Sequence, residues 1–189
     1  MKVLTHQALQ AALEETQTGV ALLQEGLERQ EESVEKFMDL LIDVYRENRK
    51  IFLFAPGRSG LVAQAFCSRL AQMGLRAHIV GTLTTPAIGP DDLLILLSSS
   101  GKTRLTLFMR DLGRTYGGKL AVITANPDAP LAEGADAVLV VPTLTRRKLP
   151  LGSFTEQMIW VLLDGLIVEF LRRLEINEET LAKNHPNLE

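Results

Sequence analysis

Leu93-Leu94-Ile95-Leu96-Leu97 runs without a break into Ser98-Ser99-Ser100-Gly101-Lys102-Thr103, and a helical stretch, Thr103–Tyr116, follows at once. A continuous apolar run ended by a turn reads as a strand buried on both faces, because a strand with one wet face would alternate. Gly117-Gly118 closes the helix. Strand, turn and helix in direct succession are the unit of a parallel α/β sheet, in which each helix carries the chain back across the sheet.

The same unit recurs on both sides. Ile51–Ala55 is another continuous apolar run, ended by Pro56-Gly57. Gly60–Met73 is helical, with Leu61, Ala65, Leu70 and Met73 on one side and Gly74 as its stop. Ala77–Gly81 predicts a strand, and Gly89-Pro90-Asp91 is the turn before Leu93. Leu120–Thr124 and Ala137–Val141 add two more strands, joined by a short segment with Pro130 and Gly134. Ser153–Leu174 predicts a long helix and Glu178–Lys183 a short last one before Pro186. The expected fold is α/β: a doubly wound five-stranded parallel sheet flanked by helices.

Before the sheet, apolar residues recur at helical spacing from Leu9 to Val44. Leu13, Val20, Leu27, Val34 and Leu41 form one line, with Leu23, Phe37 and Val44 beside it. Thr16 and Gln30 interrupt the second line, and Gly19 and Gly26 weaken the helix. This predicts one long helix, or two end to end, packed on its own domain or also on a neighbouring subunit. The expected organisation is one domain over 1–189: a helical arm over 1–48, an α/β core over 49–175, and a C-terminal helix and tail over 176–189.

The chain has 189 residues and is 46% hydrophobic, enough for one domain with a sizeable core. Lys and Arg number 20 against 23 Asp and Glu, so no basic surplus exists to neutralise nucleic acid. A single cysteine excludes an internal disulfide and a cysteine-rich zinc site. The apolar runs are far short of a membrane span, and the amphipathic N-terminus has no apolar signal region. These features predict a soluble, cytoplasmic protein.

Ligands of open parallel sheets bind beyond the carboxyl ends of the strands. Two such ends here carry small hydroxyl residues: Gly57-Arg58-Ser59-Gly60, and Ser98–Thr103. A serine-rich turn at a helix start offers an anion backbone N–H groups, hydroxyl donors and the positive end of the helix dipole. Lys102, Arg104 and Arg58 add charge. The competing reading is plain N-capping by Ser100 or Thr103. The P-loop spacing fails, since the nearest upstream glycine, Gly89, is too distant, and residues 56–60 do not match the dinucleotide fingerprint. A phosphate on a small molecule remains.

These residues carry a resemblance. Gly57-Arg58-Ser59-Gly60 with Ser98-x-Ser100-Gly101-x-Thr103 resembles the sugar isomerase (SIS) domain. Leu149-Pro150-Leu151-Gly152-Ser153-Phe154-Thr155-Glu156 is similar to a stretch of 6-phospho-3-hexuloisomerases, and Asn184-His185-Pro186-Asn187-Leu188-Glu189 is similar to their terminus. The resemblance implies a flavodoxin-like fold and interconversion of D-arabino-3-hexulose 6-phosphate and fructose 6-phosphate, a step of formaldehyde assimilation by the ribulose monophosphate pathway. It implies no cofactor and no metal, and a homotetramer with active sites shared between subunits. Ser59, Ser98, Ser100 and Thr103 match sugar-phosphate positions, with Arg58 beside them and Ser99, Gly101 and Lys102 in the same turn. Glu156 matches the base and His185 a partner from the tail. The chain departs from the pattern at Ser99, where the family often has Gly, and at Lys102, where Glu is common. It departs again at Asn184 and Pro186.

The chemistry fits the residue types. Moving a carbonyl between C3 and C2 passes through an enediolate, so one carboxylate can move the carbon-bound proton and a near-neutral histidine the hydroxyl protons. Structural readings stand beside these. Ser153-x-x-Glu156 fits a capping box, and His185 fits a solvated tail. Cys67 and His78 fit packing, Asp164 a buried acid, and Arg146-Arg147-Lys148 a solvated loop, although its place just before Pro150 also suits contact with an anionic substrate. Rival functions are another SIS isomerase, such as one for arabinose 5-phosphate, and a non-catalytic sugar-phosphate-binding module. The acidic arm lacks recognition-helix character, which argues against the DNA-bound form of the latter.

Overall fold

The computed structural model describes residues 2–187. The arm is two helices, α1 (Lys2–Arg29) and α2 (Glu31–Arg46), which meet at Gln30. Then follow β1 (Lys50–Phe54), α3 (Ser59–Gln72), β2 (Arg76–Ile79) and β3 (Leu93–Leu97). The chain continues through α4 (Arg104–Thr115), β4 (Lys119–Thr124), a 3-10 turn (Pro130–Ala132), β5 (Ala137–Val140), α5 (Ser153–Arg173) and α6 (Glu178–Lys183). The sheet is parallel throughout, in the order β2-β1-β3-β4-β5.

Alternation along the strands sorts the core into two layers. Ile51, Leu53, Leu93, Ile95, Ala121, Ile123 and Leu139 face α2, α3 and α5, joining Phe37, Leu41, Leu70, Phe154 and Phe170 in a large buried cluster. Phe52, Leu94, Leu96, Leu120 and Val122 face the other way, beneath Leu131 of the 3-10 turn and Leu107 and Met109 of α4. That second face has one helix, because the link from β2 to β3 contains none.

Two polar residues fasten the layers. Gln30, which breaks the apolar line in sequence, sits at the joint of the arm and pairs with the edge strand β5. Its amide nitrogen donates to the Val140 carbonyl at 2.8 Å, and its oxygen accepts the Val140 N–H at 2.9 Å. An edge that would otherwise offer unpaired backbone to another chain is thereby closed. Asp92, 3% exposed, accepts the backbone N–H groups of Lys50 (2.8 Å) and Gly89 (2.9 Å) and pairs with the Lys50 ammonium at 3.0 Å. Burial opposes its ionisation, but the Lys50 donors and Gly89 outweigh it and hold its carboxyl below the ordinary value.

Asp164 corrects the sequence expectation. It is exposed on α5 rather than buried, near Trp160 and Arg69. Cys67 is a packed thiol whose pKa burial pushes up to about 11. No helix among the described residues is long and apolar enough to cross a membrane.

Candidate active site

Strand order reverses direction between β1 and β3, because β1 leads outward to β2 while β3 leads the other way to β4 and β5. Chains leaving a sheet on either side of such a point open a crevice beyond the strand ends. An open cleft of about 600 Å³ lies there. Pro56 and Ser59 follow β1, Ser98, Ser99, Ser100, Lys102 and Thr103 follow β3, and Asn126 follows β4. Thr143, Arg147, Leu151 and Gly152 complete the lining.

The turn after β3 is tied within itself. The Gly101 N–H bonds to the Ser98 carbonyl at 3.1 Å and to its hydroxyl at 3.2 Å. The Lys102 N–H bonds to the Ser100 hydroxyl at 3.2 Å, and the Ser98 and Thr103 hydroxyls are 3.4 Å apart. Gly101 has φ +61°, and a Cβ there would lie 2.3 Å from Ala129 Cβ, so this position requires glycine.

The N-capping reading does not hold. Thr103 is the N-cap of α4, yet its side chain makes no capping hydrogen bond. The same is true of Arg58 at α3 and Gly152 at α5, whereas Asn177 caps α6 with its side chain. Three helices therefore begin at this cleft with no side-chain acceptor on their first N–H groups. Their positive ends converge on a space that Lys102 and Arg147 also line, which favours an anion.

The capping-box reading of Ser153 and Glu156 fails too. Ser153 is the first residue of α5, with Gly152 as its N-cap and no side-chain capping bond, and the Glu156 carboxylate lies beside Gly152 but is engaged by an arginine. Arg58 Nε donates to Glu156 Oε2 at 2.9 Å. The carboxylate is sheltered, with 15% of its side-chain surface exposed, and the guanidinium is 72% exposed. Arg58, the N-cap of α3, is thus joined to the candidate base.

His185 stands elsewhere in its own chain. α6 packs on α3, and Asn184 Nδ2 donates to the carbonyl of Gln72, the last residue of α3. Ser59, at the cleft, is the first residue of that helix. A helix of that length separates the two ends by roughly 20 Å. The His185 ring is exposed and, among the described residues, bonds only to the neighbouring Pro186 carbonyl, at 3.0 Å. Within one chain, His185 therefore stands at the end of α3 opposite the cleft.

Sequence reasoning missed Asn126 and Thr143. The signal was available for Asn126, which lies two residues past β4, where strand ends deliver ligand contacts. Of the basic loop 146–148, for which the sequence leaves open both a solvated role and contact with an anionic substrate, Arg147 lines the cleft. Among the described residues no group of three or more His, Cys, Asp or Glu is arranged to hold a metal ion.

A 2-1-3-4-5 sheet with an anion-suited cleft at its switch point defines a doubly wound α/β protein that binds small ligands. Comparison with known proteins narrows this. The SIS domain model matches residues 44–162, and the chain belongs to the SIS domain family. A 3-hexulose-6-phosphate isomerase of Bacillus subtilis is 32% identical over 159 residues, covering 80% of this chain and 86% of the relative. One from Mycobacterium gastri is 35% identical over 147 residues, 74% of each chain. A crystal structure from Methanococcus jannaschii, for which the function of a 3-hexulose-6-phosphate isomerase was inferred, superposes with a TM-score of 0.85. It is 29% identical, over 94% of this chain and 98% of that one. The chain is an enzyme, an isomerase.

Proposed function

We propose that the cleft interconverts D-arabino-3-hexulose 6-phosphate and fructose 6-phosphate. The observation that carries the reading is the pairing of an anion-suited turn with a sheltered carboxylate, Glu156, beside one cleft. The names of the relatives supply the substrate.

The substrate phosphate sits on Ser98–Thr103, with Ser59 and Lys102 adding donors. Its binding energy, remote from the reacting carbons, holds the sugar in reactive geometry. Glu156 removes the proton from C2 of the 3-ulose, and the C2–H electron pair becomes the C2–C3 double bond of an enediolate. The same carboxylate returns the proton to C3, while the hydroxyl proton passes from O2 to O3. Arg58 holds Glu156 in place. Atoms and charge balance without an oxidant or reductant, so the step needs no redox cofactor.

His185 enters this scheme through a neighbouring copy of the chain. Support comes from surface left uncovered: Leu9, Leu13 and Val20 on α1 are 62%, 60% and 42% exposed, and Trp160, Val161 and Val168 of α5 are exposed as well. An apolar surface of that extent favours association, and the reading is a homotetramer acting in the cytoplasm. Light scattering should give the mass of several chains, reduced by charged substitutions at Leu13 and Val20. A monomer at micromolar concentration contradicts it.

The experiment for the reaction is a coupled assay. Enzymatically made 3-hexulose 6-phosphate should yield fructose 6-phosphate, with competition by inorganic phosphate. Turnover of arabinose 5-phosphate instead would move the enzyme to another substrate, and no turnover of either would overturn the reading.

A further inference from the structure

Glu15 of α1 is 6% exposed, and its carboxylate meets backbone rather than a cation. Oε2 accepts the N–H of Lys148, and Oε1 accepts that of Leu149 at 3.2 Å. The Lys148 ammonium turns instead to the exposed Glu14, 3.4 Å away. A buried carboxylate costs stability unless it is hydrogen-bonded, and a freely solvated loop would need no such partner. This loop leads into the candidate site. Arg147 lines the cleft and donates to the Leu151 carbonyl at 2.8 Å, and Gly152 opens the helix that carries Glu156.

The same stretch of α1 also grips the start of α5. Thr16 Oγ1 donates to Gln157 Oε1 at 3.0 Å. A Cβ at Gly19 would stand 2.7 Å from both Met158 Sδ and Phe154 Cε2, so glycine alone permits this approach. Glu15, Thr16 and Gly19 thus hold the segment on both sides of Gly152.

We propose that Glu15 is a positioning residue for the site. From α1 it fixes the 147–152 segment, and through it Arg147 on the rim and Glu156 at the start of α5. The proposal rests on the reading of this cleft as the isomerase site.

The test uses the bonds themselves. Arg147–Lys148 and Lys148–Leu149 are trypsin sites, and theirs are the N–H groups that Glu15 accepts. Wild type, Glu15→Ala, Glu15→Gln and the control Glu14→Gln are compared for cleavage at these bonds, for kcat and KM, and for melting temperature. Glu15→Ala should be cut there roughly 10-fold faster, since local opening governs cleavage. Its kcat/KM should fall roughly 10–100-fold through displaced catalytic groups, with kcat carrying most of the loss. Glu15→Gln, of the same size but with one acceptor oxygen, should fall between, and Glu14→Gln should match wild type. Unchanged cleavage overturns the latch, and faster cleavage with wild-type kinetics overturns the positioning role. Cleavage spreading over the whole chain of both variants, with lower melting temperatures, reduces Glu15 to a stability residue and overturns it too. An inactive wild type that still shows the cleavage difference would sink the functional reading, and with it only the catalytic half of this proposal.

Discussion

The turn 98–103 and the segment 143–152, which leads into Glu156, line one cleft and are held in different ways. The turn combines short-range bonds, Gly101 on Ser98, Lys102 on Ser100 and Ser98 against Thr103, with backbone bonds to the adjoining chain. There the Ser99 carbonyl accepts the Ala125 N–H, and the Gly101 carbonyl the Leu131 N–H. The segment depends on distant partners. Glu15 holds its backbone and Arg58 holds Glu156, across 133 and 98 residues of sequence respectively. The difference suits the chemistry assigned to each. A phosphate site needs fixed donors, and a short turn bonded within itself and to the next strand end supplies them. A base must be aimed at a carbon that the turn does not touch, so its aim has to be set from other elements.

Damage to the turn should be the most severe. Gly101→Ala places a methyl 2.3 Å from Ala129 Cβ at positive φ, so strain from overpacking of about 1–3 kcal/mol is expected in melting experiments. Activity should be lost with it. If the variant folds and turns over normally, the turn is not rigid and the comparison breaks.

Single hydroxyl removals come next. Ser100→Ala and Thr103→Val should each raise KM by the loss of a hydrogen bond to a charged group, about 1.5–3 kcal/mol, with kcat changed less. Wild-type KM in both variants would remove the turn from the phosphate.

Arg58 sharpens the contrast because it stands between the walls. Arg58→Gln should lower kcat if its main work is to hold Glu156, and raise KM if it mainly meets phosphate. The ion pair is largely exposed on the arginine side, so stability should shift by less than about 1 kcal/mol.

What could be read in advance follows the same division. The strands, the helices and the turn 98–103 were legible because their signals are local: continuous apolar runs, glycine stops, hydroxyls beside a helix start. Gln30 shows the limit. In sequence it is a flaw in an apolar line, and its partner Val140 lies 110 residues away. The Ser153-x-x-Glu156 spacing likewise suggested a capping box, yet an arginine from another strand end captured the carboxylate. His185 could be matched by its motif but not located, since its chain neighbours tie it to the far end of α3.

The scaffold beneath both walls gives the smallest expected effect. His78 Nε2 is buried without a partner among the described residues, and burial, with Arg76 and Lys50 adding to it, lowers the imidazole pKa below its usual 6.5. The unfolded chain therefore takes up a proton first as pH falls below about 6.5, so the folded state loses stability from there down through the lowered pKa and keeps it above. His78→Leu should flatten the slope of melting temperature between pH 7.5 and 5.5 by a fraction of a kcal/mol. An unchanged slope would show that His78 contributes nothing to it.

The proposed base, Glu156, offers the most direct test. Glu156→Gln preserves the shape and the α5 start while removing the proton acceptor. With fructose 6-phosphate formation and thermal unfolding followed on the same preparation, kcat should fall by at least roughly 10²-fold while the melting temperature stays close to that of wild type. Retention of turnover within about threefold of wild type, at equal stability, is far below what removal of a general base costs and would contradict the assignment.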